Sequence, residues 1–349
     1  MDYFIKKEKG EKKIMLVSIC CLSYNHKRFI RNALNGILKQ KVKFTYEILI
    51  HDDASTDGTK EIIQEYVKAY PHIIKPIYQI ENQYSKGKPV SYYNYNRAKG
   101  KYIAFCECDD CWIDENKLQK QIDFLENNND YFATTHNIYV IDENNKIINY
   151  DNHYFPSLES HTINTADELN ITGGLCGQTA TIVTRNFWEK LSDTQRKIFI
   201  ETKANGDRKF NLCMIYFGKI KYFEEIMSAY RVTYNTDSWR SKSHGKLTVL
   251  DGYYTNEKLK KMINDMFNKK IVYSNSYLLS GGISNIVQFR NKFHIKSEVL
   301  LFFLIPDNKI NVLFKCLKLT LLKILRRMKL YNKIGPWRIV PKLRTKDAI

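Results

Sequence analysis

The chain has 349 residues, of which 44% are hydrophobic and 13% aromatic, and its formal net charge is +18. This composition is typical of a globular protein with one large domain and an accessory region, or with two domains. No apolar run is long enough to cross a bilayer, and residues 1–13 lack the apolar core of a secretion signal. The eight cysteines do not form a disulfide framework at this length. We therefore expect a cytoplasmic protein.

The positive charge is concentrated near the C-terminus. Between Lys309 and Lys346 there are 12 Lys or Arg residues and no Asp or Glu. Apolar residues recur there at helical spacing, and the basic residues on the other face include Lys315, Lys318, Arg326 and Lys329. Such a helix is typical of segments that lie on an anionic membrane surface, which would make the protein peripheral on the inner face of the membrane. The alternative is a helix packed on the domain. No nucleic-acid recognition motif accompanies the charge, so we expect no nucleic-acid partner.

The first hundred residues alternate between predicted strands and helices. Short apolar runs predict strands at 15–23, 46–50, 73–80 and 102–106, and helical spacing predicts helices between them. This alternation predicts an α/β fold with a mainly parallel sheet and helices on both faces. Neither GxGxxG after the first strand nor GxxxxGK[ST] occurs, which disfavours a dinucleotide-binding fold and a P-loop.

The pattern continues less regularly beyond residue 110. A helix is predicted at 116–126, and another begins at 205–207. Further strands are predicted at 131–141, 146–150, 179–184, 219–223 and 226–232. After about residue 237 the sequence favours helices, so we expect a helical, basic C-terminal region.

Two of the predicted strands end in carboxylates. Glu107, Asp109 and Asp110 follow the strand at 102–106, and Asp52 and Asp53 follow the strand at 46–50. Because an unpaired charge is costly to bury, these acids should lie where the strands leave the sheet, which is where open α/β sheets bind ligands. Two residues apart, Glu107 and Asp109 point the same way from an extended chain. Such oxygen ligands suit Mg²⁺ or Mn²⁺ shared with substrate phosphates.

Two other interpretations of this stretch remain. A solvated acidic loop is the simpler one, and the second acidic strand end is what favours a built site. Cys106, Cys108 and Cys111 are close enough to suggest zinc. Zinc is disfavoured because no Cys/His pair follows at finger-like spacing.

Three segments together resemble the family 2 glycosyltransferases, which have the GT-A fold. They are Val17–Asn25, Tyr46–Gly58 and Gly100–Asp110, and they occur in the family's order and spacing. The resemblance implies an inverting transferase that uses a nucleotide-diphosphate sugar, UDP-linked, with Mg²⁺ or Mn²⁺. The QxxRW signature of processive members is absent, which implies transfer of single sugars.

The resemblance also implies roles for individual residues near the donor. Ser23 and Tyr24 would lie near the nucleotide base, and Asp53 would contact the base or ribose. Glu107 and Asp109 match the D-x-D acids, with Glu in the first place and Asp109 as the main metal ligand. The acid that follows them, Asp110, would orient the loop. From the late part of the domain, Arg231 would contact a phosphate of the donor.

The prediction for the acceptor site depends on a carboxylate near the end of the domain. Asp207 matches the acid that takes the proton from the acceptor hydroxyl, a role that chemistry requires because a hydroxyl is a poor nucleophile at neutral pH. The alternative is an Asp that only stabilises the start of its helix through the helix dipole. Gly173 and Gly174 would border the acceptor pocket.

We divide the chain into a basic leader (1–14), a GT-A domain (15–236), a helical accessory region (237–305) and a basic amphipathic tail (306–349). The expected function is transfer of one sugar to a hydroxyl of a glycan or lipid-linked glycan precursor in synthesis of a surface polysaccharide of the cell envelope. The alternative is a catalytically silent module that binds sugar nucleotides or glycans. The filled carboxylate positions favour the enzyme.

Overall fold

The computed structural model describes residues 15–148, 162–171, 175–233 and 249–269. Its elements follow in chain order: β1 (Met15–Ser23), α1 (Ile30–Leu38), β2 (Thr45–Asp52), α2 (Thr59–Ala69), β3 (Ile74–Tyr78), α3 (Tyr92–Tyr95), β4 (Tyr102–Phe105), β5 (Cys111–Trp112), α4 (Lys117–Asn127), β6 (Tyr131–Ile141), β7 (Thr162–Ile163), α5 (Ala166–Ile171), a 3-10 turn (Thr179–Thr181), β8 (Val183–Arg185), α6 (Asp193–Glu201), α7 (Gly206–Phe217), β9 (Lys219–Arg231) and α8 (Val249–Phe267).

The strands form one mixed sheet in the order β3-β2-β1-β4-β8-β6-β9-β5, with β7 beside β9. Strands β3, β2, β1 and β4 are parallel to one another, and the long pair β6 and β9 is also parallel. The short strand β8 joins these two parts in antiparallel pairing. The predicted mainly parallel α/β sheet is confirmed.

Both faces of the sheet are buried. Successive side chains of a strand point to opposite faces, so Val17 and Ile19 of β1 pack in one core while Cys20 packs in the other. The second core is rich in aromatic rings from β4, α3, α7 and the segment after β8, and the ring centroids of Phe105 and Phe210 lie 4.8 Å apart. This double burial explains why the central strands read as continuous apolar runs.

The structure differs from the sequence prediction at two late strands. The predicted strand at 179–184 begins as a 3-10 turn, because Gln178 Oε1 accepts a hydrogen bond from the backbone N of Ala180 (2.6 Å). The two strands predicted at 219–223 and 226–232 form the single strand β9, whose pairing with β6 has irregular register near Asn137. The segment at 146–150 contributes an isolated bridge between Ile141 and Ile147 within its described part.

The helix α8 packs on the domain. The rings of Tyr216 and Phe267 stack with centroids 3.7 Å apart, and Gln195 Nε2 donates to the carbonyl oxygen of Met266 (2.6 Å). Among the described residues, no helix combines the length and the apolar character that a membrane span requires. The predicted leader, the pair Gly173–Gly174 and the tail from residue 306 lie outside the described residues.

A lysine of α4 is fully buried in the core. Lys117 is 0% exposed, its Nζ donates to Gln121 Oε1 (2.8 Å), and it lies 4.0 Å from the ring centroid of Trp112. Burial lowers its pKa to about 7, although nearby Cys106 and Asp114 act to raise it. Protonation of Lys117 is therefore less favourable in the folded protein than in the unfolded chain.

We predict a pH-dependent effect of the substitution Lys117→Met on stability. Between about pH 7 and the pKa of an unfolded lysine, the unfolded chain binds a proton that the native protein lacks, so the wild type gains stability as pH rises. The methionine variant lacks this gain. Its free energy of unfolding relative to wild type should therefore fall by about 2–5 kcal/mol between pH 6.5 and 10.

Urea unfolding at several pH values measures this difference. The control is Lys120→Met, because Lys120 lies on the same helix but is exposed and paired with Asp114 (2.7 Å). A difference between Lys117→Met and wild type that stays constant with pH would contradict the prediction.

Candidate active site

An open cavity lies at the carboxyl ends of β1 and β4. About 470 Å³ of space lies between its walls, including open solvent at its mouth. Its walls come from β1, α3, the end of β4, the 3-10 turn and α7. The polar side chains among its lining are Ser91, Asn94, Glu107, Thr179, Asp207 and Asn211.

The cavity brings together two carboxylates that are far apart in the sequence. Glu107 follows β4, Asp207 is in the first turn of α7, and both line the cavity. Burial raises the pKa of Glu107 well above its ordinary range, and Asp207, Asp109 and Asp110 raise it further. Surrounding protein also raises the pKa of Asp207, although its side chain keeps an open path to solvent. This site therefore favours a cation or a proton between the acids.

Two asparagines fix the backbone at Asp207. Asn205 caps α7, and its Oδ1 accepts from the backbone N of Asp207 (2.9 Å). One turn later, Asn211 Nδ2 donates to the carbonyl oxygen of Asp207 (2.6 Å), while Asn211 Oδ1 accepts from the backbone N of Cys176 (3.1 Å). The capping role of Asn205 is readable from sequence. That of Asn211 is not, because its partner Cys176 is distant in the chain.

The acidic loop is a turn rather than an extended strand. Cys108 N donates to the carbonyl oxygen of Leu22 (3.0 Å), and Asp110 N donates back to that of Glu107 (3.0 Å). The expectation that Glu107 and Asp109 point the same way from an extended chain is therefore wrong. Both still lie at the strand end, where Glu107 lines the cavity and Asp109 is partly exposed.

Asp110 is an internal anchor of this loop. Its carboxylate is 1% exposed and accepts hydrogen bonds from the backbone N of Arg231 (2.9 Å) and from Gln178 Nε2 (2.6 Å). Burial and Asp109 raise the pKa of Asp110, while its contacts with Arg231 and Gln178 lower it. These contacts hold the Asp110 carboxylate inside the loop, and its orienting role stays a prediction.

Arg231 lies beside the acidic loop but is only 3% exposed. Its Nε donates to the carbonyl oxygen of Asp109 (2.8 Å). A phosphate contact, as expected from the resemblance, would require this guanidinium to leave its protein partners. The observed contacts give Arg231 a supporting place in the loop.

The ends of β1 and β2 are hydrogen-bonded to each other. Asp53 N donates to the carbonyl oxygen of Ser23 (2.9 Å), and the buried Oγ of Ser23 has no hydrogen-bond partner within the described ranges. The next residue, Tyr24, is 46% exposed. Asp53 uses its carboxylate to accept from the backbone N atoms of Gln83 (2.8 Å) and Tyr84 (3.0 Å), so it also anchors the loop after β3.

His26 is a residue of this region that the sequence analysis did not single out. Its Nε2 lies 3.8 Å from Asp109 Oδ2. Burial would lower the pKa of His26, but Asp109, Cys108 and Asp110 outweigh that effect and raise it to about 9. A histidine shortly after a strand carries no motif of its own, so only the fold reveals this contact.

The donor set fits a hard divalent cation that substrate oxygens help to hold. Glu107 and Asp109 supply carboxylate oxygens, which Mg²⁺ and Mn²⁺ prefer. Within the described parts of the chain, no group of three or more His, Cys, Asp or Glu side chains is arranged as a metal site. Mg²⁺ is commonly bound by one or two carboxylates together with substrate phosphates, so two protein carboxylates are sufficient.

Relatives in sequence match parts of the chain. Proteins of Mycobacterium tuberculosis and Mycobacterium bovis are 40% identical over 129 residues, which cover 36% of this chain and 36% of theirs. The E. coli UDP-Glc:alpha-D-GlcNAc-diphosphoundecaprenol beta-1,3-glucosyltransferase WfgD is 34% identical over 134 residues, or 38% of this chain and 49% of WfgD. The matched stretch thus spans about a third to a half of these relatives.

A solved structure matches more of the chain. S. aureus TarS 1–349, in complex with UDP-GlcNAc, has a TM-score of 0.54 and 16% identity over 91% of this chain and 89% of that one. This likeness confirms the expected GT-A type of fold. The profile of glycosyl transferase family 2 matches residues 18–191, which contain both acidic strand ends. The chain belongs to glycosyl transferase family 2.

Proposed function

We propose that this protein transfers a single sugar from a UDP-linked donor to a hydroxyl of a glycan or lipid-linked glycan precursor, with inversion at the anomeric carbon. The convergence of Glu107 and Asp207 in one cavity at the carboxyl edge of the sheet carries this proposal. The similarity to WfgD, whose name specifies UDP-Glc as donor and GlcNAc-diphosphoundecaprenol as acceptor, supports the classes of donor and acceptor. We place the reaction in surface polysaccharide synthesis at the cytoplasmic face of the membrane.

Asp207 is the proposed catalytic base. Inversion is one in-line displacement, in which the bond from the anomeric carbon to the diphosphate breaks as the bond to the acceptor oxygen forms. The carboxylate of Asp207 takes the proton of the acceptor hydroxyl, and a raised pKa makes it a better proton acceptor. Its fixed backbone, held by Asn205 and Asn211, limits the loss of orientation during the reaction.

The donor side is proposed to use the ends of β1, β2 and β4. A backbone hydrogen bond joins Ser23 to Asp53, and the side chains of these two residues and of Tyr24 would receive the base and ribose. Glu107 and Asp109 would hold a divalent cation, which when bound supplies charge neutralisation for the departing diphosphate.

The basic tail is proposed to bring the enzyme to its lipid-linked acceptor. Residues 306–349 lie outside the described residues, so this proposal rests on the sequence pattern of basic and apolar faces. A basic face near an anionic surface contributes about 1 kcal/mol per Lys or Arg, so several charges together suffice for peripheral binding.

Turnover of sugar nucleotides tests the catalytic proposal. In the presence of Mn²⁺, wild type should release UDP from one member of a panel of UDP-sugars, slowly without acceptor. Asp207→Asn should lower transfer by about 10²–10⁴-fold while UDP affinity is retained, because a general base is lost. Asp109→Ala should lose most Mn²⁺-dependent UDP binding measured by calorimetry.

The control for Asp207→Asn is Asp193→Asn, because Asp193 occupies the first turn of α6 and is exposed. Equal loss of transfer in the two variants would mean that Asp207 acts only on its helix. Binding of UDP-sugars without turnover of any of them would favour the silent binding module.

Proton release tests the electrostatics of Glu107. Because the raised pKa of Glu107 keeps part of this group protonated above the ordinary range of a glutamate, binding of Mn²⁺ and UDP should release protons. The apparent affinity should then rise with pH. Calorimetry in buffers with different ionisation enthalpies measures the proton release, and Glu107→Gln should reduce it.

The control is Glu47→Gln, which should not reduce the proton release. Hydrogen bonds from Lys75 and Ser18 overcome the effect of burial and lower the pKa of Glu47. Identical release from wild type and Glu107→Gln would contradict this assignment.

Liposome binding tests the tail. The full chain should sediment with vesicles that contain anionic lipid and not with neutral vesicles, and binding should weaken at high salt. Replacement of the four basic residues Lys315, Lys318, Arg326 and Lys329 by Glu should abolish binding. Equal sedimentation of this variant and wild type would exclude the tail as the membrane contact.

A further inference from the structure

The side chain of Arg231 joins three loops at the edge of the sheet. Besides Asp109, its guanidinium donates from Nη1 to the carbonyl oxygen of Asp142 (2.7 Å) and from Nη2 to Asn145 Oδ1 (2.8 Å). Its Cζ lies 4.4 Å from the ring centroid of Phe29, just before α1. Arg231 therefore connects the acidic loop, the turn after β6 and the start of α1.

The turn after β6 is built to receive this guanidinium. Asn145 has a left-handed backbone (φ 64°), a conformation that Asn adopts more readily than most residues. Its Oδ1 accepts from both Arg231 and Asn32 Nδ2 (3.3 Å). Asp142 N and the carbonyl oxygen of Lys146 close the turn with a hydrogen bond (2.9 Å). The acceptor group for Arg231 is thus held in place independently of the acidic loop.

Arg231 holds the acidic loop at two successive residues. Its side chain binds the carbonyl oxygen of Asp109, and its backbone N binds the carboxylate of Asp110, whose other oxygen is held by Gln178. Because the carbonyl oxygen of Asp109 and the carboxylate of Asp110 are both held, the direction in which the side chain of Asp109 projects from the loop is restricted as well. Arg231 therefore influences Asp109 through the loop backbone, and its hydrogen bond is to the carbonyl oxygen of Asp109 rather than to the carboxylate.

We propose that Arg231 is a positioning residue for the donor-binding loop, which sets Asp109 and Glu107 for the cation and diphosphate without touching the substrate. This inference rests on the proposed function. Only arginine can do this, since its planar fork reaches three acceptors in fixed directions at once, whereas a lysine ammonium offers one point of charge. Residues that orient ligand-bearing groups typically change ligand affinity by about 10- to 100-fold when replaced.

Arg185 provides a matched control. It is the last residue of β8, its Nε donates to the carbonyl oxygen of Tyr131 (3.0 Å), its Nη2 donates to that of Leu125 (2.6 Å), and its Cζ lies 5.7 Å from the ring of Tyr102. It pairs with the first residue of β4, at the opposite end of that strand from Glu107. Replacing Arg185 removes a similar set of contacts and leaves the acidic loop intact.

The experiment compares Arg231→Lys, Asn145→Ala and Arg185→Lys in the full chain. Two quantities are measured: hydrogen exchange of the peptide covering 106–111, and the affinity of UDP with Mn²⁺ by calorimetry. Arg231→Lys should speed exchange in this peptide, whose amides at Cys106, Cys108 and Asp110 are hydrogen-bonded, and should weaken UDP binding by about 10- to 100-fold. Asn145→Ala, which removes one acceptor from the turn, should give a smaller change of both quantities in the same direction. Arg185→Lys should speed exchange near 125–131 and leave UDP affinity unchanged.

Each outcome separates this inference from the proposed function. Unchanged exchange at 106–111 in both Arg231→Lys and Asn145→Ala would overturn the inference, and so would UDP affinity equal to wild type. If Arg231→Lys does not fold, Asn145→Ala alone decides between these results. Failure of wild type to bind UDP would overturn the donor proposal and the role of Arg231 toward it, while the exchange data would still test whether Arg231 holds the loop.

Discussion

The electrostatic cost of gathering carboxylates at one edge of the sheet governs the architecture of this site. Glu107, Asp109, Asp110 and Asp207 are close enough that the pKa of Glu107 is raised by the other three. Each acid is accommodated differently. Asp110 is buried and accepts two protein hydrogen bonds, Asp109 is partly exposed beside His26, and Asp207 remains open to solvent. Glu107 lines the cavity with the least compensation, so it is the acid for which a cation or proton would bring the largest gain.

The packed sheet holds these mutually repelling carboxylates close together. Because both faces of β1, β2 and β4 are packed, the carboxyl ends of these strands are rigid, and the loops that follow them do not move apart under the repulsion. The loops are then tied to each other across the edge, as where Asp53 holds the backbone of Gln83 and Tyr84. Rigid strands supply the positions, and loop-to-loop hydrogen bonds supply the directions of the side chains.

The sequence predicted the parts of this arrangement that depend on local pattern. Continuous apolar runs located β1, β2 and β4, and the residue types after them located the acidic ends. The start of α7 at 205–207 was also predicted, and Asn205 caps this helix two residues before Asp207. The turn at Glu107–Asp110 was missed, because its shape depends on hydrogen bonds to Leu22 and Arg231 that no local pattern encodes. The 3-10 turn at Thr179–Thr181 was missed for a similar reason, since the side chain of Gln178 overrides the strand preference of its threonines.

Asp109 and Asp110 show why residue type alone does not assign a role in such a site. The two are identical in chemistry and adjacent in sequence, and both follow the same strand. Asp110 is 1% exposed, and its two carboxylate oxygens accept hydrogen bonds from Gln178 and Arg231, which makes it part of the framework. Asp109 is partly exposed to solvent, while its carbonyl oxygen accepts a hydrogen bond from the same arginine. The framework acid and its arginine restrict the loop, and that restriction leaves the neighbouring carboxylate available for a ligand at little further cost in conformational entropy.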